Sequence, residues 1–297
     1  MPKLVSVVVP TYNYRHYVGE AIESVLAQSH QPLEILVVDD GSTDGTQEEL
    51  RRFNGRIRYL HQPNRGLSAA RNTGILAAAG EFIALLDADD LWAPTKIEKQ
   101  MALMDSPEVG VVFCALNRID VRSGAEEVKH CLPDSRGDLR RMLLHRNCMT
   151  ASTVLVRRAC FEKAGLFDES LRSAEDWDMW IRISRHFHFD YVPEPLITYR
   201  IHGANMTKKI ATMHQYQMQV LRRAFDEDPI AAADRLLRRR GLAYVHFDAG
   251  DEYFAAGDYR AARRHLLRSV VLWPFSYRHC SYLARTVIRR AFEGPEG

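Results

Sequence analysis

Four runs of strand-forming residues recur along the first part of the chain, and stretches with helical periodicity separate them. The runs span 4–9, 33–40, 56–62 and 81–87. Three of them are apolar, whereas 56–62 carries basic residues at alternate positions, as an edge strand does. The helical patterns between them lie at 16–28, between 46 and 53, and at 66–80. Strands that alternate with helices predict an α/β fold with a mainly parallel, Rossmann-like sheet between two layers of helices.

The later parts of the chain are patterned differently. The patterns predict strands at 109–116 and 151–158, a hairpin over 117–130 that turns at Ser123-Gly124, helices at 138–146 and 173–187, and an extended segment at 193–203. From about residue 206 the strand patterns vanish, so we expect a C-terminal all-helical appendage. Within it, residues 220–297 contain 14 arginines, 10 acidic residues and no lysine, so this stretch alone carries a net charge of +4.

Composition excludes several broad classes of protein. The 297 residues include 40 basic and 38 acidic side chains, and a net charge of +2 argues against a protein that mainly coats nucleic acid. No apolar stretch approaches the roughly 20 residues of a membrane span. Pro10 interrupts the first apolar run too early for a secretory leader. Five scattered cysteines without CxxC spacing indicate reduced thiols, so we expect a cytoplasmic protein.

Acidic residues follow two of the predicted strands, at 39–40 and at 87–90. Ligands of open α/β sheets bind beyond the carboxyl ends of the strands, so we expect the two clusters to meet at one site. In the first cluster, Asp39 or Asp40 can accept a hydrogen bond from a nucleobase imide or a ribose hydroxyl. Turn stabilisation is the alternative for the polar loop at 41–46, but it does not explain Asp40.

The second cluster reads Asp-Ala-Asp-Asp over 87–90. Carboxylates two positions apart after a buried strand are costly unless a cation or hydrogen-bond donors neutralise them. Hard divalent cations take oxygen ligands and bridge to diphosphate oxygens. Such an ion stabilises the charge that develops on a diphosphate leaving group. An isolated motif of this kind is usually a surface turn, but the apolar strand in front of this one favours a metal site.

A third group of acidic residues lies where a helix is predicted to begin. Glu175, Asp176 and Asp178 fall within one turn, and Trp177 and Trp180 flank them. A half-buried setting between tryptophans can raise the pKa of a carboxyl group into the range that general-base catalysis needs. The alternative is that these acids only complement the dipole of the helix.

A glycine-containing loop at 64–74 leads into the third predicted helix and carries Arg71 and Asn72. The N-terminus of a helix with an arginine nearby suits a phosphate or an acidic partner. Arg71 is equally suited to pair with a carboxylate at a strand end and so hold the site together.

In this order and spacing, the motifs resemble glycosyltransferase family 2 over roughly residues 4–204. They read PTYN (10–13), VVDDGSTDGT (37–46), NRGLSAARNTG (64–74), LLDADD (85–90) and EDWDMWIR (175–182). The resemblance implies a GT-A-like fold, a nucleotide-diphospho-sugar donor, a divalent cation (Mn²⁺ or Mg²⁺) and inversion at the anomeric carbon. It also implies a nucleotide-sugar-binding half at 1–105, an acceptor-binding half at 106–204 and a helical C-terminal region at 205–297.

The resemblance further implies that residues near the strand ends bind the donor nucleotide. This set comprises Pro10, Thr11, Tyr12, Asp40, Arg71 and Asp87. Within it, Asp40 meets the base and Asp87 lies near the ribose or the metal ion. Asp89 is the expected principal metal ligand, and Asp90 is a neighbour without an assigned role.

On the acceptor side, the resemblance implies that Asp176 is the general base and that Glu175 is its partner in the acid pair. Trp177 would form part of the floor under the acceptor. Arg200 and His202 would close on the diphosphate of the donor. For His202, a solvated loop histidine is the alternative.

The predicted function is that of an inverting, metal-dependent glycosyltransferase. The donor would be UDP- or dTDP-linked, and the acceptor hydroxyl would belong to a saccharide or a lipid-linked molecule in bacterial-type polysaccharide or glycolipid assembly. A sugar-phosphate nucleotidyltransferase is one alternative, but PTYNYRHY stands where such enzymes carry a glycine-rich loop. A catalytically inactive nucleotide-binding scaffold that acts through its helical tail is another, but the carboxylate motifs are intact.

The arginine-rich tail predicts a contact of its own. Residues 259–297 contain 8 arginines and 2 glutamates, with aromatic residues between them. Basic residues near anionic lipid contribute about 1 kcal/mol each, so one interpretation is peripheral binding at the inner face of the membrane. A dimer contact or a solvated helix face is the other.

Overall fold

The structure is a computed structural model and describes residues 3–129, 132–133, 135–203 and 209–293. It divides into two compact units. The first unit comprises 1–140 and 148–205, and the second comprises 141–147 and 206–297. The predicted division of the first part into two halves at residue 105 stays a prediction. The end of the loop that follows His202, from 204 to 208, lies outside the described residues.

The first unit contains all the described strands and seven helices. The strands are β1 (Val5–Thr11), β2 (Leu33–Asp39), β3 (Arg58–His61), β4 (Phe82–Leu85), β5 (Leu91–Trp92), β6 (Val109–Asp120), β7 (Glu126–Lys129), β8 (Leu155–Arg157) and β9 (His188–Ile201). The helices are α1 (Arg15–Leu26), α2 (Thr46–Leu50), α3 (Leu67–Ala77), α4 (Lys96–Met101), α5 (Arg140–Leu143), α6 (Arg158–Ala164) and α7 (Glu175–Ser184), of which α5 runs into the second unit.

The nine strands form one sheet, in the order β3-β2-β1-β4-β8-β6-β9-β5, with β7 paired to β6. Pairings among β1, β2, β3 and β4 are all parallel, as is the pairing of β6 with β9. The strands β8, β7 and β5 pair antiparallel with their neighbours. The predicted α/β class is confirmed, but the sheet is mixed and not mainly parallel, since four pairings are parallel and four antiparallel among the described strands. The carboxyl ends of β1, β2 and β4 lie at one edge of the sheet.

Both faces of β1 are covered, which explains why the strand is apolar without alternation. Val5, Val7 and Val9 belong to a buried cluster with Val18 and Ile22 of α1. The opposite face packs against α3, where a Cβ added at Gly74 would lie 2.3 Å from the side chain of Val8. A larger residue at 74 would therefore separate this helix from the sheet.

Several local predictions need correction. Pro10 does not end the first strand, because β1 continues through it to Thr11 in register with β2. The helix α2 is shorter than the pattern between 46 and 53, since it begins after Gly45 (φ 89°) and ends at Leu50. The predicted strand at 151–158 is shorter, since 151–153 forms a 3-10 turn. The helices α4 and α6 were not predicted at all.

The second unit is all-helical in its described residues. Its helices are α8 (Ile210–Glu227), α9 (Pro229–Ala233), α10 (Arg235–Ala255), α11 (Tyr259–Leu272) and α12 (Tyr277–Glu293). The helices α10 and α11 form a helical hairpin, with Gly257 (φ 83°) at the break between them. The Asp258 carboxylate accepts a hydrogen bond from the Ala261 amide at 2.9 Å and caps α11. No described helix is long and apolar enough to cross a membrane.

The segment 141–147 packs with these helices although it precedes them by many residues. The Arg141 guanidinium lies 2.8 Å from the Asp234 carboxylate. A Cβ added at Gly241 would lie 2.4 Å from the carbonyl oxygen of Leu144, so glycine permits this close approach of helix and segment.

Candidate functional site

The loops that follow β1 and β2 are joined by hydrogen bonds. Asn13 adopts the left-handed conformation (φ 58°), which asparagine tolerates. Its amide donates to the Ser42 hydroxyl at 2.9 Å, and its side-chain oxygen accepts from the Thr43 amide at 2.8 Å. The Arg15 amide donates to the Asp44 carboxylate at 3.0 Å. The turn residues after β2 therefore fix the start of α1 as well as their own loop.

The predicted nucleoside-binding residues lie at the end of β1. Pro10 and Thr11 are buried within the strand, whereas the ring of Tyr12 is 46% exposed. The hydroxyl of Thr11 is buried and has no hydrogen-bond partner among the described residues. An exposed aromatic ring beside an unsatisfied hydroxyl suits a planar, polar ligand.

Asp40 is buried at the end of β2, and its carboxylate is used within the protein. One oxygen accepts from the Gln62 side-chain amide at 2.6 Å and from the Arg65 amide at 2.9 Å. The other accepts from the Gly66 amide at 2.8 Å. These bonds hold the loop that leads into α3, so Asp40 braces the floor of the site in addition to any contact with a base. Its role as the base-contacting residue stays a prediction.

Arg71 is 2% exposed and bridges two carboxylates that come from different parts of the chain. Its Nη2 atom lies 2.6 Å from Asp87 after β4, and its Nη1 atom lies 2.6 Å from Glu175 at the start of α7. Burial lowers the pKa of the guanidinium, but the charges of Asp87 and Glu175 outweigh burial and raise it. Of the two interpretations of Arg71, pairing with a strand-end carboxylate is the one that the structure contains.

The helix α7 presents the acid pair under backbone strain. Its N-cap, Ala174, has φ 57°, a left-handed conformation that costs a residue with a Cβ about 1–2 kcal/mol. Glu175 is held by Arg71, whereas Asp176 is only half-buried. Burial, and after it the charge of Glu175, raises the pKa of Asp176 to about 7. A carboxyl group with such a pKa is suited to accept a proton near neutral pH.

Two residues that follow the acid pair on α7, Trp177 and Asp178, have structural roles. Trp177 is 1% exposed, so its ring has no surface for an acceptor, and the prediction of an acceptor floor made from Trp177 is not supported. Asp178 accepts a hydrogen bond from Arg182 at 2.9 Å, one turn further along the helix. The Arg182 guanidinium also donates to the carbonyl oxygen of Leu166 at 2.9 Å and ties α7 to the loop before it.

The three carboxylates after β4 differ in their exposure. The side chain of Asp87 is 28% exposed and that of Asp89 is 11% exposed, whereas Asp90 is buried. Burial, and then the charge of Asp87, raises the pKa of Asp89. Burial and the charge of Asp89 raise the pKa of Asp90 further. Neither oxygen of Asp90 has a well-formed hydrogen bond among the described residues, although the Ser152 hydroxyl lies beside it.

His202 and Arg200 both contact Asp89. The Nε2 atom of His202 lies 3.0 Å from the Asp89 carboxylate, and its ring stacks on Tyr17 with 4.7 Å between centroids. Arg200 donates to the backbone oxygen of Asp89 and pairs with Glu20. His202 is buried, so the interpretation as a solvated loop histidine is wrong.

Sequence reasoning missed the side of α1 that faces this cluster. Burial and the charge of Asp89, to which its hydroxyl is hydrogen-bonded, raise the pKa of Tyr14. Tyr14 and Tyr17 are three positions apart and therefore lie on the same face of the helix, near His202. The i, i+3, i+6 spacing of Tyr14, Tyr17 and Glu20 was the signal that could have found this face.

The residues at the strand ends fit a divalent cation. The partly exposed carboxylates of Asp87 and Asp89 are oxygen donors of the kind that Mg²⁺ and Mn²⁺ prefer. Their mutual repulsion, and the unsatisfied oxygens of Asp90 next to them, are costs that a positive ion would reduce. Arg71 already neutralises part of this charge, but from the side of Asp87 that points toward α7.

Residues 6–165 match the family described as glycosyl transferase family 2. An uncharacterized glycosyltransferase of Rickettsia prowazekii is 37% identical over 216 residues, which are 69% of this chain and 66% of that protein. An uncharacterized glycosyltransferase of Nostoc is 33% identical over 228 residues, covering 71% of this chain and 69% of the relative. The chain thus spans just under two thirds of the Rickettsia relative.

Solved structures share the fold at low sequence identity. S. aureus TarS in complex with UDP-GlcNAc has a TM-score of 0.69 at 18% identity, over 95% of this chain and 88% of that one. The mannosyltransferase PcManGT from Pyrobaculum calidifontis, in complex with GDP-Man and Mn²⁺, has a TM-score of 0.63 at 21% identity, over 98% of this chain and 88% of its own. These likenesses confirm the predicted GT-A-like fold.

Proposed function

This chain belongs to glycosyltransferase family 2, and we propose that it moves a sugar from a nucleotide-diphospho-sugar to an acceptor hydroxyl with inversion at the anomeric carbon. The observation that carries the proposal is the ion-paired chain Asp87–Arg71–Glu175, which sets the start of α7 beside the end of β4. It brings a half-buried carboxyl group with a pKa of about 7, on Asp176, to the same site as the carboxylates Asp87 and Asp89.

The proposed chemistry is a single displacement. Asp176 takes the proton of the acceptor hydroxyl while that oxygen forms a bond to C1 of the donor sugar, and the bond from C1 to the diphosphate oxygen breaks. Inversion follows from this single displacement, because C1 is attacked once, from the face opposite the departing diphosphate. Arg71 keeps Asp176 in register with the donor site, so positioning supplies much of the acceleration.

A divalent cation would be held by Asp89 with help from Asp87, and His202 would orient Asp89 from behind. When bound, such an ion neutralises charge on the departing nucleoside diphosphate. PcManGT shares the fold of this chain, and its structure contains Mn²⁺. This likeness supports Mn²⁺ or Mg²⁺ as the ion here.

The donor that we propose is UDP- or dTDP-linked. The support is the likeness to TarS, whose structure contains UDP-GlcNAc, although PcManGT is in complex with GDP-Man. Thr11 and Tyr12 would hold the nucleoside, with the base against the exposed ring of Tyr12. The acceptor would be a saccharide or a lipid-linked molecule in bacterial-type polysaccharide or glycolipid assembly.

A peripheral membrane contact or a dimer contact of the second unit remains a prediction. Its support is a set of exposed apolar side chains in an arginine-rich region: Leu267, Val271, Phe275 and Tyr277, which are 53%, 66%, 81% and 88% exposed. Apolar side chains interleaved with basic ones suit the interface of an anionic membrane.

The proposal is tested by a donor-hydrolysis screen across UDP-, dTDP- and GDP-sugars with Mn²⁺, with Mg²⁺ and with EDTA. We expect hydrolysis of a uracil- or thymine-linked donor with a metal ion and none with EDTA. Asp89→Asn should abolish metal-dependent UDP binding in calorimetry, whereas the exposed control Asp105→Asn should keep it. If the protein neither binds nor hydrolyses any of these nucleotide sugars in the presence of Mn²⁺ or Mg²⁺, the proposal is contradicted and an inactive scaffold is favoured.

A further inference from the structure

Three histidines of the second unit meet although they come from three different helices. His214 lies on α8, His246 on α10 and His265 on α11. The Nε2 atom of His214 is 3.1 Å from Nδ1 of His246, and that Nδ1 atom is 3.4 Å from Nδ1 of His265. One ring nitrogen from each residue lies within 4.8 Å of the other two.

Hydrogen bonds between these rings cannot satisfy all the nitrogens that meet. A neutral imidazole has one N–H donor and one acceptor lone pair. The Nδ1 atom of His246 is close to both neighbours, so as a donor it serves only one of them. As an acceptor it has a single in-plane lone pair for two donors. A cation that takes one lone pair from each ring resolves this conflict.

The spacing fits the ligand shell of a tetrahedral metal ion. Zn–N bonds of about 2.0–2.1 Å at tetrahedral angles place neighbouring ligand nitrogens about 3.3 Å apart. The two observed separations of 3.1 and 3.4 Å bracket this value. Because all three nitrogens fall within 4.8 Å, rotation of His265 or His214 about its side-chain bonds can close the remaining gap.

The surroundings select the kind of ion. Burial first, and neighbouring histidines and arginines after it, lower the pKa of His214 and of His246 to about 4. The rings are therefore neutral at pH 7 and free of the proton that would block a metal. Arg222, Arg264 and Arg268 repel every cation. An ion that depends on anionic oxygen ligands, such as Mg²⁺, has nothing here to offset this repulsion, whereas an ion that binds strongly to imidazole gains bonds that offset it.

We propose that His214, His246 and His265 bind a transition-metal ion of the Zn²⁺ type, which joins α8, α10 and α11. The site is distinct from the carboxylates of the first unit in ligand chemistry, since it offers nitrogen only. Three histidine ligands leave a fourth position for water, as in other three-histidine zinc sites. The proposal does not depend on the glycosyltransferase reaction.

The test uses the full chain with Zn²⁺ alone as the probe, in excess Mg²⁺ to occupy the carboxylate site. Calorimetry should find one Zn²⁺ per chain, and Zn²⁺ should raise the Tm because it binds the folded state. Co²⁺ should give the intense visible absorption of a tetrahedral nitrogen-ligated ion, which oxygen ligands in an octahedral site do not give. Asp89→Asn should leave all three results unchanged.

His265→Gln should weaken Zn²⁺ binding by more than the roughly 10- to 100-fold that loss of an outer-shell partner costs. It should also remove the Tm shift and the Co²⁺ spectrum, whereas His61→Gln, at an exposed histidine of β3, should change none of them. His246 is buried, so His265→Gln at a half-exposed position keeps the test valid if His246→Gln does not fold. Equal Zn²⁺ affinity in wild type and His265→Gln would overturn the proposal.

Discussion

The Nη1 atom of Arg71 lies 2.6 Å from the Oε1 atom of Glu175, although 104 positions separate the two residues. The same guanidinium holds Asp87 through its other nitrogen at 2.6 Å. Because the three side chains come from α3, α7 and the end of β4, this bridge fixes the distance between the strand that precedes the 87–90 carboxylates and the helix that carries the acid pair.

Replacing Arg71 by methionine should destabilise the fold strongly. The change leaves two carboxylates without their common cation, one of them buried, and breaking a buried pair from one side costs about 3–5 kcal/mol. Arg71→Lys should recover part of this loss, because a lysine ammonium reaches one carboxylate but not both. Urea unfolding measures both values. An unfolding free energy within about 1 kcal/mol of wild type for Arg71→Met would contradict a structural role of the bridge.

Replacing Asp176 by asparagine should abolish sugar transfer and leave donor binding nearly intact. The amide keeps the size of the side chain but cannot accept a proton, and loss of a general base lowers rates by about 10²- to 10⁴-fold. The measurements are transfer rate and UDP affinity with Mn²⁺. The control is Glu162→Gln, an exposed acid of α6, which should change neither. Full transfer activity in Asp176→Asn would exclude this residue as the base.

The rate of transfer should fall at acid pH with an apparent pKa near that of Asp176. A general base acts only when deprotonated, and the pKa of this carboxyl is raised to about 7, by burial first and by the charge of Glu175 second. We therefore expect kcat/KM to drop roughly tenfold per pH unit below about pH 7.

The matched variant for the pH profile is Glu175→Gln, which removes the negative neighbour and leaves Arg71 in place. Loss of the Glu175 charge, with the positive charge of Arg71 retained, favours the ionised form of Asp176, so the pKa of Asp176 falls and the acid limb moves to lower pH. An acid limb that stays in place in Glu175→Gln would show that another group sets it.

The sequence was sufficient to predict the edge of the sheet at which the site lies, because carboxyl ends of parallel strands converge. It could not predict which of these side chains would form hydrogen bonds or ion pairs within the protein. Asp40 is engaged by Gln62, and Arg71 by Glu175, through contacts that span 22 and 104 positions. Trp177 shows the same limit in reverse: the resemblance implied that its ring forms part of the acceptor floor, but helical geometry turns the ring into the core.

Lys96 should make the stability of the protein depend on alkaline pH. It is fully buried, its Nζ atom donates to Gln100 at 2.8 Å, and burial lowers its pKa to about 8. The unfolded chain, with an ordinary lysine pKa near 10.5, binds more protons between these two values, so the free energy of unfolding rises with pH there. The gain should be about 2 kcal/mol from about pH 8 to about pH 10.

The control for this prediction is Lys96→Met, measured by urea unfolding over the same pH range. Cysteines and tyrosines also titrate there in both proteins, so the difference between wild type and variant reports Lys96 together with its coupling to Cys114, whose thiol pKa the Lys96 charge lowers. A difference that does not change with pH would contradict burial of a charged lysine at this position.

Residues 141–147 join the helices of the second unit, so the backbone passes between the two units three times and not once. A protein truncated after residue 205 would keep Leu143 and Leu144, which are buried in the intact chain, and lose the helices that bury them. Such a truncation exposes an apolar surface, which promotes aggregation. A loss of activity in the truncated protein would therefore not report on the function of the second unit. Complementation, in which the missing helices are supplied as a second polypeptide, is the cleaner way to separate the two units.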